Sequence, residues 1–313
     1  MACREPGVLN PTQEGSTVSL ERRRDIARVE ALSFGRRWLP ATVVAAVLGV
    51  LLIIIAPTAT GSQSTGAGDP AASAPASPYT QGTTWVVNNS VDSGPGTLRD
   101  ALEQAAPGDT ITFDPAVFSP ANPVSITLTS GPLPRLSQGG LTLDASQAGV
   151  ILDGSELEGG EGLLIDSDAN RVRGLQVRNF PGAGIWMGKG ASHNQIGGLN
   201  ATPGGACTGD CNLISGNGGE GMVLDGTGVV SNTVSGNYIG TDLSGTSAQG
   251  NAGNGITIAW GAQHNRVGGS TPGERNLISG NGGGVAMSNS GTISNTISGN
   301  YIGTDVTGNA ALG

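Results

Sequence analysis

Five short segments of one pattern, glycine followed by apolar, variable and apolar residues, punctuate the second half of the sequence. They are GLLI at 162, GIWM at 184, GMVL at 221, GITI at 255 and GVAM at 284. Each is followed by an Asn-x-apolar triplet, at Asn170, Asn194, Asn232, Asn265 and Asn295. A third short apolar stretch then follows, at Gly174, Asn212, Asn237, Asn276 and Asn300. Segments this short form no stable sheet alone, and the region has no helical period. Wound as a coil and stacked, each pairs with its equivalent one turn on, about 4.8 Å away. The pattern therefore predicts an all-β fold, a right-handed parallel β-helix with three short strands per coil.

Alternation assigns the side chains. Leu163, Ile185, Met222, Ile256 and Val285 are expected in one inward stack, and Ile165, Met187, Leu224, Ile258 and Met287 in another. Leu164, Trp186, Val223, Thr257 and Ala286 then face outward. Asn170, Asn194, Asn232, Asn265 and Asn295 fall at one corner of successive coils, where asparagine tolerates a left-handed backbone and its amide can bond the coils above and below. A structural ladder is expected there rather than ligand contacts. His193 and His264 precede two of these asparagines and read as turn residues. The octapeptide SGNYIGTD occurs at 235–242 and at 298–305, marking every second coil, with Asp242 and Asp305 opening turns.

Upstream, residues 83–130 are expected to form an N-terminal cap and first coil. Thr97 is placed to cap a short helix with Leu98, Ala101, Leu102 and Ala105 on one face. Residues 131–313 are read as the β-helix. The second octapeptide copy breaks off in mid-loop at Gly313 with no capping element, so further coils are expected beyond it.

Before the coil region, Trp38 to Ala56 is an apolar run preceded by Arg36 and Arg37. Residues 38–57 read as a signal anchor or a cleaved signal peptide, and residues 38–56 as the contact with a membrane. Residues 1–37 are then cytoplasmic, residues 58–82 a Ser/Ala/Pro/Gly linker, and the remainder extracellular, tethered or secreted. Before residue 57 there are seven Arg and five acids (+2); after it there are eight basic and nineteen acidic residues (−11). An acidic exterior excludes nucleic acid as a partner. Glycine, 54 of 313 residues, has no three-residue period, which excludes collagen. Cys207 and Cys211 are spaced for a disulfide in an oxidising compartment; a zinc site lacks further ligands.

The stretch DSGPGTLRDALEQAAPGDTITF resembles the N-terminal segment of bacterial surface β-helix proteins of the CSLREA type, without that family's cysteine, since Gly96 precedes Thr97. The repeats NLISGN, GNYIGTD, GNGITI and NRVGG resemble right-handed parallel β-helix repeats of the pectate-lyase-like superfamily. The resemblance implies the fold and leaves function open, because such folds host lyases, hydrolases, epimerases and adhesins. The Asn-Thr-Asp, Asp-Asp, Gly-His-Gly and Arg-x-Lys segments of polygalacturonase-like enzymes are absent.

The expected function is adhesion or contact with a polysaccharide or cell-surface glycan, without catalysis. Loops 199–211 and 241–254 are the expected recognition elements. The alternatives are a polysaccharide lyase or glycoside hydrolase, and a structural envelope component. Catalytic candidates would be Asp166, Lys189, Glu220 and Asp225, with Trp186 as a stacking platform. No metal or cofactor is expected; calcium would enter only with lyase chemistry of the pectate type. GGEGMVLD at 218–225 lacks the calcium nonapeptide's aspartate, having Val223 in that place.

Overall fold

The computed structural model describes residues 82–313. The apolar run 38–56 and nearly all of the linker lie outside the described residues. Among the described residues, no helix is long and apolar enough to cross a membrane.

Three parallel sheets divide the strands of the coils between them. The first-strand sheet holds five, Leu163–Ile165, Ile185–Met187, Met222–Asp225, Asn254–Ala259 and Gly283–Met287. The second-strand sheet runs through eight strands from Thr84–Val87 to Thr296–Ser298, and the third-strand sheet through seven from Val124–Thr127 to Tyr301–Ile302. Every strand pairs in parallel with the equivalent strand of the next coil, which is the parallel β-helix. Leu163, Ile185, Met222, Ile256 and Val285 stand in register, as do Ile165, Met187, Leu224, Ile258 and Met287. Ile111, Leu143, Val172, Ile196, Val234 and Val267 enter the same core from the second sheet. Leu152, Val177, Ile214, Ile239 and Ile278 enter it from the third. Met287 departs from the expected burial, at 54 % exposed, because it stands on the last described coil with no neighbour beyond it.

The corners are built from left-handed residues and asparagine. Ala169, His193, Ser231, His264 and Ser294 all have φ between 55° and 57°. Each hands the chain to an asparagine; the Asn170 oxygen accepts from the Leu141 N–H, and each later one accepts from the backbone N–H and the amide of the asparagine one coil earlier. The series runs Asn170, Asn194, Asn232, Asn265, Asn295. Two further ladders occupy the remaining corners. Asn212, Asn237, Asn276 and Asn300 join the second strand to the third. Asn217, Asn251 and Asn281 follow the third strand.

Helix α1 (Leu98–Gln104) covers the first coil, burying Leu98, Ala101 and Leu102, with the Thr97 side chain accepting from the Asp100 N–H. Asp92 pins this cap to the coil below. It accepts from the Arg99 guanidinium at 2.6 Å and from the N–H groups of Thr129 and Ser130 at 2.9 and 2.6 Å. Burial alone would raise its carboxyl, but the donors from Ser130, Arg99 and Thr129 together hold it well below the usual carboxylate range. A depressed folded pKa adds stability above the unfolded value, lost as pH falls through the folded one. Asp92→Asn is therefore expected to cost about 2 kcal/mol at neutral pH. That deficit should shrink as the pH drops below about 4. Urea midpoints of both proteins at neutral and acidic pH check this; a deficit constant with pH would show that the charge plays no part.

Candidate functional site

On the outer face of the first-strand sheet, Leu164, Trp186, Val223 and Thr257 stand side by side on consecutive coils, with Ala286 next. Two residues further along each strand, Asp166, Gly188, Asp225 and Ala259 form the neighbouring outward column. The Asp166 carboxylate is engaged on two sides. Arg135 donates to it at 2.8 Å, and Lys189 stands 3.5 Å away. Both cations remain open to solvent, at 49 % and 73 % side-chain exposure, while Asp166 is enclosed. Arg135 comes from one coil earlier, where Leu136 bridges to Ile165.

Gly188 keeps a gap in this face. A side chain begun there would meet Trp186 Nε1 at 3.3 Å and Asp166 Oδ1 at 3.7 Å, so the indole and the carboxylate border one spot. Asp225 has no polar partner, and burial pushes its carboxyl above the usual range. It is two coils from Asp166, roughly 10 Å along the axis. Glu220 precedes Gly221 at the other end of the same strand, roughly 16 Å from Asp225 at extended spacing, and packs on Gly253. The structure thus brings Asp166, Lys189, Trp186 and Asp225 to one end of the face and leaves Glu220 at the other. Among the described residues, no three His, Cys, Asp or Glu side chains are grouped to hold a metal ion.

Two residues of this face escape a reading by repeat. Trp260 follows the fourth first-strand, in a left-handed corner with φ 53°, and is 64 % exposed. It occupies the corner position that Lys189 holds two coils earlier. Its signal was a tryptophan directly before a corner glycine. Arg135 carries no signal, because its coil has only an isolated bridge in place of a first strand.

The long loops lie against the third-strand sheet. Leu213, Tyr238, Leu277 and Tyr301 point outward there, in register. With Val306 and the Cys207–Cys211 disulfide they make a second apolar cluster. Asn200 and Gly209 pair as a hairpin, as do Thr241 with Ala248 and Thr304 with Ala311. Asp242 and Asp305 organise the last two by accepting backbone N–H groups across the turn. Burial pushes the Tyr238 hydroxyl up to about 12, and the Arg275 guanidinium lies 3.9 Å over the Tyr301 ring. His193 and His264 sit in corners two coils apart, away from any metal grouping.

No family model and no curated protein matches the chain. Among solved structures it is similar to the pectate lyase Pel9A, at 14 % identity over 69 % of this chain and 58 % of that one, with a TM-score of 0.38. It is also similar to an alginate lyase from Paenibacillus sp. str. FPU-7, at 19 % identity over 72 % and 69 % of the two chains, with a TM-score of 0.42. The chain thus spans little more than half the length of the first. At these values neither likeness speaks to chemistry, and the sheet topology carries the fold by itself.

Proposed function

We propose that this chain is an extracellular β-helix repeat protein, tethered or released, that contacts glycan across its first-strand face without cleaving it. The carrying observation is the pair of tryptophans on one face, Trp186 on the coil of the exposed Lys189 and Trp260 in the equivalent corner two coils on. An indole held 64 % open to water is an unusual surface investment, and its flat apolar face suits the C–H face of a sugar ring. The acids argue for binding over cleavage. Asp166 is occupied by Arg135 and Lys189, and Asp225 stands too far off to share a proton with it. The disulfide supports an oxidising location.

Glycan-array binding by the full chain is expected to fall about tenfold in Trp186→Ala and again in Trp260→Ala, the loss of roughly one stacking contact each. Unchanged binding in both variants would remove this face from the account. Unsaturated or reducing ends released above background would instead assign cleavage to the Arg135, Asp166, Lys189 and Asp225 group.

A further inference from the structure

A recess lies on a different part of the molecule, where second strands pass into third strands. Its lining comes from turns of successive coils, including Pro123 and Ala148, and from Leu243 and the Cys207–Cys211 hairpin. Its volume is about 160 Å³. An apolar cavity of about 150 Å³ takes one benzene, so the recess has room for one six-membered ring. No charged side chain lines it.

Gln176 is the residue that gives this recess a purpose. It belongs to the outward column of the third-strand sheet, between Ile151 and Leu213 on the neighbouring coils. It is only 9 % exposed, lines the recess, and its amide has no hydrogen-bond partner within the protein. Ile151 and Leu213 flank it in the column, so the amide, which bonds nothing in the protein, meets only what occupies the recess. The amide offers a donor and an acceptor side by side. Adjacent hydroxyls on a sugar ring each donate and accept, and so match that pair. Ser146 and Thr208 add hydroxyls to the lining, and Pro123, Ala148 and Leu243 offer apolar surface to the C–H face of a ring. With no counter-charge in the recess and an acidic exterior around it, a charged ligand is disfavoured.

We infer that this recess is a binding site for a single uncharged sugar unit, held by the Gln176 amide. The inference is independent of the tryptophan face, which lies on another sheet. Saturation-transfer NMR on the full chain tests it, with methyl glycosides of neutral hexoses, galacturonic acid and a blocked dipeptide as probes. At least one neutral glycoside is expected to bind in the millimolar range, as suits so small a ligand. Gln176→Leu continues the column of Ile151 and Leu213 and so retains the fold; it is expected to weaken binding tenfold or more. Leu243→Ala, at an exposed loop position, should weaken it severalfold, while Trp186→Ala should leave it unchanged. The inference is overturned if no neutral glycoside binds, which would leave a recess holding water only. It is equally overturned if Gln176→Leu binds as well as the parent, or if the uronic acid or the dipeptide is preferred.

Discussion

Replacing Asn232 by alanine is expected to cost about 4 kcal/mol, or to prevent folding of the coils on either side. The residue is 1 % exposed and sits mid-ladder. Its oxygen accepts from the Asn194 backbone N–H at 2.9 Å, and its amide donates to the Ala191 carbonyl at 2.9 Å. Alanine removes both partners and puts no water in their place. A buried N–H and a buried C=O are left bare, each worth about 1–3 kcal/mol. The Asn194 amide loses one of its two acceptors but keeps the Ser167 carbonyl at 3.0 Å, so the damage stays concentrated at two groups. Thr233→Ala, one residue on and facing outward, is expected to change stability by less than about 0.5 kcal/mol. Urea unfolding of both variants, followed by far-UV circular dichroism, makes the comparison. Equal midpoints would mean that the ladder merely accompanies the fold.

A second large effect is expected at Gly236, and the duplicated octapeptide supplies its own control. Gly236 and Gly299 are the same residue of two identical sequences, with φ of 69° and 71°. Alanine pays about 1–2 kcal/mol for the left-handed backbone at either site. The surroundings differ. A methyl group on Gly236 would lie 2.5 Å from the Gly198 carbonyl oxygen of one coil and 2.8 Å from that of Gly273 in another, so it is wedged between two backbones. At Gly299 the close contact is on one side only, with the Gly269 oxygen at 2.1 Å. Gly236→Ala is expected to lose about 3–5 kcal/mol and Gly299→Ala about 2. Denaturant midpoints of the two variants decide the matter. If Gly299→Ala proves as damaging, the left-handed backbone and not the spacing between coils sets the cost.

The same octapeptide shows how far the sequence could be read. The inward stacks were legible because Leu163, Ile185, Met222, Ile256 and Val285 recur behind a glycine at each turn, and strand alternation leaves no freedom once the first is placed. The first ladder was legible because its asparagines stand apart from other repeats. The other two were hidden by a shared spelling. Ser-Gly-Asn forms the corner after the second strand at 235–237 and 298–300, and the corner after the third strand at 215–217 and 279–281. Its glycines have the same left-handed φ, between 69° and 75°. One tripeptide serves two corners because both need one left-handed residue followed by an inward amide, so local sequence alone does not say which corner is meant. The candidate site was less legible for a different reason. Asp166, Lys189 and Trp186 lie on neighbouring coils and could be placed by counting. Arg135 belongs to a coil without the repeat, Trp260 to a corner, and Gln176 is identified only by what fails to bond it. Glu220 shares a coil with Asp225, but it lies before the strand that Asp225 ends.

The three asparagine ladders also bear on how the molecule carries load. Backbone bonds between coils, and from Asn170 onward the three chains of side-chain amides, run along the axis of the coil. A pull along that axis through the chain ends loads one coil at a time, since the outermost coil can peel away while those behind it keep all their bonds. Extension should then proceed in steps of one coil, a graded yielding rather than a single rupture. A crosswise push meets the packed interior instead. Such a column would give way gradually under tension and stay stiff against shear.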